Sequence, residues 1–217
     1  MNISPIDFYY FPLSAPCRAV DMVAGHLDIP LKKKFVNTWQ GEQLKSEFLK
    51  LNPTHTVPTI NDSGFVLWES RAIITYLADL YGKDDVFYPS NRRKRAVVDR
   101  MLYFDMGSLY RAIIDFQIPI MFRGEEPDAG KERVLLEKLA FLEQFLTDYP
   151  YVAGENLTVA DLSILASVTF LEAIDFTLSS FPKIEAWLQR LRKELPYYQE
   201  RNQDAIEEGK RMLSERK

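Results

Sequence analysis

The stretch IDFYYFPLSAPCRAV, residues 6–20, determines how the chain begins to fold. Ile6–Phe11 is rich in aromatic residues and predicts a β-strand. Pro12–Pro16 predicts a loop, after which apolar residues recur at helical spacing: Cys17, Val20, Val23, Ala24 and Leu27. The stretch therefore predicts a strand, a loop and a helix in that order.

The alternation of strand and helix continues to Gly82. Leu31–Val36 predicts a second strand and Glu42–Leu49 a short helix. Thr56–Ile60 and Phe65–Trp68 flank a cluster of turn residues, as the strands of a hairpin do, and the helix that follows ends at Gly82. The order βαβαββα predicts a mixed sheet with helices on its faces, because a βαβ crossover gives parallel strands and a hairpin an antiparallel pair.

The rest of the chain has helical periodicity. Thr158 followed by Asp161 has the pattern of a capping box, which predicts a helix start at Thr158. Pro182 and Pro196 stand where the first turns of two further helices accept proline. We therefore expect the second part of the chain to be all-helical.

Length and composition agree with two folded domains. The chain has 217 residues, of which 47% are hydrophobic and 27% charged, as in globular proteins. We expect an α/β domain at residues 1–85, a linker at 86–91 and an all-helical domain at 92–217. The net charge of −4 and the lack of basic tails argue against a nucleic-acid partner. Apolar stretches such as Leu162–Leu171 fall short of the roughly 20 residues that span a membrane.

Cysteine and histidine are scarce. Cys17 is the only cysteine, so no internal disulfide forms, and His26 and His55 do not suffice for a structural zinc site. Pro5 and Asp7 interrupt the region where a signal peptide has its apolar core. We therefore expect a cytoplasmic protein that needs no metal.

Six separated motifs carry a resemblance to a known family. They are Phe8–Tyr10, Ser14–Arg18, Thr56–Thr59, Trp68–Ile73, Tyr103–Gly107 and Leu157–Asp161. With them the chain resembles the cytosolic glutathione S-transferases, most closely the insect delta class. The resemblance implies a thioredoxin-like domain that binds glutathione, a helical domain with a hydrophobic substrate pocket, and a homodimer. It also implies conjugation of glutathione to small hydrophobic electrophiles in detoxification.

Ser14 is the candidate catalytic residue of such an enzyme. A free thiol has a pKa of about 8.5, so glutathione is mostly protonated at pH 7, whereas conjugation needs its thiolate. Ser14 lies just before the helix begun by Pro16, where its hydroxyl can donate to a sulfur that also feels the positive end of the helix dipole. Serine is too weak a base to remove the proton, so its expected role is to stabilise the thiolate. The alternative is a helix cap without catalytic role.

Nearby residues offer rival mechanisms. Tyr10 resembles the tyrosine of the tyrosine-type glutathione transferases, although strand packing explains it as well. Cys17 makes this loop similar to a Cys-x-x-Cys motif that has lost its first cysteine, and its place on the apolar stripe favours a buried, inert thiol. Leu13 departs from the glycine common before the serine in the family.

The resemblance also implies the residues that bind glutathione. We expect the Val57–Pro58 bond to be cis and the backbone of Val57 to pair with the cysteinyl part of glutathione. The other expected contacts are Ser70 and Arg71 with the γ-glutamyl carboxylate, Glu69 with the ammonium group, His55 and Gln43 with the glycyl carboxylate, and Asp105 in support. Gln43 replaces the usual histidine, which predicts a weaker, neutral contact. Solvated surface charges are the alternative for Glu69, Arg71 and Asp105.

By the same resemblance, apolar residues surround the electrophile. The expected lining is Phe11, Pro16, Tyr110, Ile114, Ile118 and Phe122, with a core role still open for the isoleucines. Tyr103 and Phe104 are candidates for the dimer interface. Two other functions remain open: a non-catalytic carrier of glutathione or an apolar ligand, and a glutathione-dependent thiol reductase that uses Cys17.

Overall fold

In the computed structural model, which describes residues 4–215, the N-terminal domain is built on a four-stranded mixed sheet. Its strands are β1 (Ile6–Tyr10), β2 (Leu31–Phe35), β3 (Thr59–Asp62) and β4 (Phe65–Trp68), in the spatial order β2-β1-β3-β4. β1 and β2 are parallel, whereas β3 runs antiparallel to both β1 and β4. The predicted mixed sheet, with one crossover and one hairpin, is confirmed.

The helices of this domain lie on both faces of the sheet. They are α1 (Ala15–His26), α2 (Ser46–Leu51) and α3 (Ser70–Tyr81). Side chains of β1 alternate between the faces: Ile6 and Phe8 are fully buried in the core shared with α1 and α3, whereas Tyr9 packs edge-on against Phe48 of α2 at 5.9 Å between ring centroids. The observed order is the predicted βαβαββα.

Two predicted elements of this domain begin later than expected. The helix expected at Glu42–Leu49 is interrupted, because a 3₁₀ turn occupies Glu42–Leu44 and α2 begins only at Ser46. The third strand begins at Thr59 rather than Thr56. The buried Asn52 explains this, since its Nδ2 donates to Thr56 O at 3.0 Å and to Thr59 Oγ1 at 2.9 Å and so holds residues 56–58 in a loop.

The C-terminal domain is helical, as predicted. Its helices are α4 (Arg92–Phe104), α5 (Tyr110–Arg123), α6 (Ala129–Phe145), α7 (Val159–Thr169), α8 (Pro182–Glu194) and α9 (Asp204–Ser214). Every residue of α7 is buried, so this helix forms the centre of the domain, and it packs against α1 and α3 of the first domain. None of the helices within residues 4–215 is both long and apolar enough to cross a bilayer. The exact domain limits drawn from the sequence stay a prediction.

Short irregular helical turns connect these helices. Asp105–Leu109 and Gln199–Gln203 are π-helical, and Phe170–Ile174 is a 3₁₀ turn. The π-helical turn at Asp105–Leu109 joins α4 to α5 and shifts the direction in which side chains project there.

The start of α7 is closed by its own residues. Thr158 caps the helix in the predicted capping box. The fully buried Asp161 carboxylate accepts hydrogen bonds from the backbone amides of Thr158 and Val152, both at 2.9 Å, and from Trp187 Nε1 at 3.1 Å. Its burial raises the pKa of Asp161 to about 6.

Candidate active site

Ser14 is the N-cap residue of α1. Its Oγ accepts a hydrogen bond from the amide of Cys17 at 3.4 Å, which is long for this type of bond. The helix begins at Ala15, one residue before the predicted start, with Pro16 in its first turn. Because a hydroxyl that accepts one bond still has its own proton to donate, capping and thiolate stabilisation are compatible roles for Ser14.

The Cys17 thiol is buried behind the cap. Cys17 is 1% exposed, and desolvation raises the pKa of its thiol to about 12. A thiol in this state is protonated and inaccessible at neutral pH. The geometry therefore agrees with the inert interpretation of Cys17 and disfavours a thiol reductase.

The Tyr10 ring packs against other aromatic residues of the sheet. It stacks on Phe8 at 5.4 Å and meets Phe35 edge-on at 6.3 Å. Burial, followed by the carboxylates of Glu208 and Asp21, raises the pKa of its phenol. These contacts favour strand packing over a thiol-activating role for Tyr10.

The loop before β3 carries the expected backbone site. The Val57–Pro58 bond is cis, as predicted, and Asn52 braces the loop through the bonds described above. His55 is exposed and adopts a positive φ of 48°. Gln43 lies in the 3₁₀ turn after β2, where its Nε2 donates to Thr38 O at 3.2 Å. Asn52 is a structural contributor that the sequence analysis missed.

The start of α3 contrasts with ordinary helix starts. Glu69 occupies the N-cap position with φ 68° and ψ 103°, and it makes no capping hydrogen bond with its side chain. A non-glycine residue at such a φ is strained. Ser70 is buried behind it, and its Oγ accepts a bond from Arg71 Nη1 at 2.9 Å.

Arg71 joins the two domains through Asp105. Its Nη2 donates to Asp105 Oδ2 at 2.6 Å, and Ser163 Oγ of α7 donates to the same oxygen at 2.6 Å. The Arg71 guanidinium also lies 5.3 Å from the centroid of the Tyr110 ring, whose phenol pKa burial raises to about 12. Because Asp105 is fully buried and the Arg71 side chain is 14% exposed, the alternative of solvated charges is wrong for both.

Comparison with known proteins identifies this arrangement. Family models for the glutathione S-transferase N-terminal domain and C-terminal domain match residues 8–85 and 109–194. The chain belongs to the glutathione S-transferase family. The transferase is 43% identical over 211 residues to glutathione S-transferase D7 of Drosophila melanogaster, covering 97% of this chain and 94% of the relative.

Solved structures of delta-class enzymes have the same fold. A delta-class glutathione transferase of Nilaparvata lugens is 46% identical with a TM-score of 0.92, covering 97% of this chain and 99% of the other. Glutathione transferase BmGSTD1 of Bombyx mori, in complex with GTT, is 44% identical with a TM-score of 0.91, covering 99% of each chain. The resemblance inferred from the motifs is confirmed: the chain is a glutathione transferase most similar to delta-class enzymes, with glutathione as co-substrate.

An aromatic bridge spans the two domains of the transferase beside α1. Phe11, 4% exposed, lies 4.6 Å from Trp39 between ring centroids, and Trp39 meets Phe122 of α5 at 5.6 Å. Phe11 and Phe122 were predicted from the sequence, whereas Trp39 was not, because nothing local to residues 38–40 indicates a contact with α5.

The other predicted pocket residues differ in burial. Pro16 and Ile114 are half-buried, and Ile118 is 36% exposed on α5, so a core role for Ile118 is wrong. Tyr110 packs on Arg71, as described above. Within residues 4–215, no group of three His, Cys, Asp or Glu side chains is arranged to hold a metal ion.

A hollow of about 570 Å³ lies between α3 and α4 of the transferase. Its lining consists of Glu69, Arg71, Ala72, Thr75, Tyr88, Asp99, Leu102, Tyr103 and Met106. Tyr103 and Met106 are 69% and 46% exposed, which leaves apolar surface open to solvent. Phe104 instead packs on Phe145 at 5.2 Å, so its candidacy for a dimer interface is not supported.

Proposed function

We propose that this transferase conjugates glutathione to small hydrophobic electrophiles and that Ser14 stabilises the reacting thiolate. The observation that carries the proposal is the position of Ser14 at the first amides of α1, with its hydroxyl proton available to a bound sulfur. The helix dipole and this hydrogen bond favour the thiolate over the thiol, so more of the bound glutathione is nucleophilic at neutral pH.

The start of α3 is the proposed site for the γ-glutamyl end of glutathione. Since no side chain caps this helix, its first amides are available to a carboxylate. Ser70 and Arg71 supply further donors there, and Glu69 is the proposed partner of the ammonium group. Asp105 fixes the Arg71 guanidinium at 2.6 Å, so little side-chain entropy is lost when the ligand binds.

The remainder of glutathione would lie along the loop before β3. The backbone of Val57, next to Pro58, is the proposed partner of the cysteinyl unit. His55 and Gln43 are the proposed partners of the glycyl carboxylate. The exposure of His55 is compatible with this role, since a carboxylate of a bound ligand would be reached from solvent.

The electrophile is proposed to bind beside the aromatic bridge. Its lining comprises Phe11, Pro16, Tyr110, Ile114, Ile118 and Phe122, with Trp39 added by the structure. The Trp39 ring lies within 6 Å of the Phe11 ring and of the Phe122 ring. This aromatic surface favours planar, aromatic electrophiles, because offset and edge-on ring contacts add to the burial of apolar surface. The thiolate then attacks an electrophilic carbon held in register with it and forms a carbon–sulfur bond. In a substitution, the bond to the leaving group breaks and that group departs with the electron pair. In an addition to a double bond, the π electron pair moves to the neighbouring atom, which takes a proton from water.

A cytoplasmic homodimer with a role in detoxification completes the proposal. The hollow between α3 and α4, with the exposed Tyr103 and Met106, is the surface that a second copy would cover. The single, buried cysteine suits a reducing compartment, because the fold does not depend on disulfides.

Ser14→Ala and Tyr10→Phe test the thiol chemistry. We expect Ser14→Ala to raise the pKa of bound glutathione, measured by thiolate absorbance, and to lower kcat/KM about 100-fold with an aryl electrophile, the usual effect of deleting one such donor. Tyr10→Phe should change both values little. An unchanged thiol pKa in Ser14→Ala would show that the catalytic assignment is wrong, and glutathione binding without turnover of a panel of electrophiles would indicate a carrier.

A further inference from the structure

Gly209 lies where a helix does not favour glycine. It is buried in the interior of α9 and has ordinary helical backbone geometry, so no unusual φ requires a glycine there. Glycine is among the poorest helix formers. The reason for glycine at this position must therefore be that a larger side chain does not fit.

Leu13 fills that space. A Cβ atom added to Gly209 would lie 2.5 Å from Leu13 Cβ, 2.7 Å from Cδ1 and 2.9 Å from Cγ, all closer than non-bonded carbons approach. Leu13 itself is 2% exposed. The backbone of α9 thus rests directly on the side chain that precedes Ser14, and we call this contact the Leu13 seat.

The terminal helix is anchored to α1 independently of Leu13. In the π-helical turn that leads into α9, Arg201 Nη1 donates to Asp21 Oδ1 at 2.5 Å. In the same turn, Asn202 Oδ1 accepts from Arg18 Nη1 at 2.5 Å. Asp21 and Arg18 both belong to α1 and are buried. Two bonds therefore fix the beginning of α9 relative to the helix that Ser14 caps.

The loop that carries Ser14 has weaker restraints of its own. The Ser14 amide donates to Phe11 O at 3.1 Å, and the bond from Cys17 to its Oγ is long at 3.4 Å. On the helix side, the Ser14 carbonyl accepts from the Arg18 amide at 3.0 Å, whereas the residue that precedes Ser14 is held by the packing of the buried Leu13 side chain.

We infer that the Leu13 seat positions Ser14, so that α9 takes part in activating the thiol although none of its residues is assigned to the site. The inference rests on the proposed role of Ser14. Leu13 and Gly209 are positioning residues: a side chain at 209 would push Leu13 and shift the Ser14 hydroxyl relative to the bound sulfur.

Gly209→Ala tests the inference by the pH dependence of turnover. We expect the pKa of bound glutathione to rise by about one unit, and kcat/KM below that pKa to fall about tenfold, since one pKa unit is a tenfold change in thiolate. Above the pKa, kcat/KM should return to within about twofold of the unmodified enzyme. The double variant Leu13→Ala/Gly209→Ala, in which the shortened side chain makes room for the new methyl group, should restore the original pKa.

Gly130→Ala is the matched control. It makes the same substitution in the exposed first turn of α6, where an added Cβ meets only Asp128 Oδ1, and should leave the thiol pKa unchanged. If Gly209→Ala does not fold, Leu13→Ala alone tests the inference. It loosens the Leu13 seat without crowding α9 and should also raise the pKa of bound glutathione.

The outcomes separate this inference from the proposed function. If Ser14→Ala leaves the thiol pKa unchanged, the role of Ser14 fails and the inference fails with it. If Ser14→Ala raises the pKa but Gly209→Ala and Leu13→Ala do not, the role of Ser14 stands and the seat is overturned. A shift in Gly209→Ala that the double variant does not reverse would also overturn it, because the effect would then not pass through Leu13.

Discussion

The N-terminal ends of α7 and α3 differ in how their unpaired backbone groups are satisfied. At α7, the buried Asp161 accepts bonds from two backbone amides and an indole, so the chain satisfies its own helix start. At α3, Glu69 provides no side-chain cap and is held at φ 68°. The difference shows that a closed helix start contributes to stability, whereas an open one keeps its amides available for a ligand.

Asp105 connects the two helix starts. One of its oxygens accepts from Arg71 on α3 and from Ser163 on α7, each at 2.6 Å. Through Asp105, the strained N-terminal end of α3 is thus linked to α7, the helix whose residues are all buried. This explains how a conformation that costs about 1–3 kcal/mol is maintained at Glu69.

Asp161→Ala should have the largest effect on the free energy of unfolding, because it removes the acceptor at the N-terminus of α7. It leaves the buried Thr158 and Val152 amides and the Trp187 indole without an acceptor, so we expect a loss of about 3–5 kcal/mol in the free energy of unfolding, measured in urea. Asp128→Ala is the control, since Asp128 caps α6 at the surface through one bond to Lys131 and should cost about 1 kcal/mol. Equal losses would contradict the distinction between closed and exposed caps.

Glu69→Gly should change the free energy of unfolding less than Asp161→Ala does, and it tests the strain at the uncapped N-terminus of α3. Glycine adopts φ 68° without strain, so we expect the free energy of unfolding to rise by about 1 kcal/mol while glutathione affinity, measured by calorimetry, falls. Ser63→Gly is the control, because Ser63 has φ 52° in the exposed hairpin turn. It should give a similar stabilisation with unchanged affinity. If Glu69→Gly lowers stability, the strain argument is wrong.

The smallest effect concerns the two ends of α1, where Ser14 stands at the start and His26 in the last turn. His26 stacks on Phe87 at 4.2 Å, its Nδ1 lies 3.0 Å from the Tyr197 hydroxyl, and burial lowers its pKa. The unfolded chain therefore binds this proton more readily, so the contribution of His26 to stability is complete above pH 6.5 and is lost as pH falls through its lower native pKa. Urea titrations between pH 5 and 8 should show this slope, and His26→Gln should reduce it; an identical slope in His26→Gln would refute the prediction.

Much of the fold could be predicted because its signals are local. The capping box at Thr158, the proline at 182 and the turn residues before Phe65 each act over a few positions, whereas Pro196 lies in a turn rather than in the first turn of a helix. The positions of Ser14 and Glu69–Arg71 at helix starts could be predicted for the same reason, whereas their roles stay a prediction. The interruption before Ser46 and the late start of β3 depend on the buried side chain of Asn52 and on short 3₁₀ turns, which carry no periodic pattern.

Two other unpredicted contacts join distant parts of the chain. Trp39 meets Phe11 and Phe122, and Leu13 meets Gly209, through packing between elements that lie far apart in sequence. A single sequence contains no signal for such pairs, because composition and spacing describe only neighbours along the chain.

The shared oxygen of Asp105 has a consequence for synthesis on the ribosome. Arg71 lies 34 residues before Asp105, and Ser163 lies 58 residues after it. The first domain emerges long before the serine that completes this contact has been translated. A nascent chain therefore completes this contact, which supports the proposed γ-glutamyl site, only once the central helix of the second domain has emerged and docked.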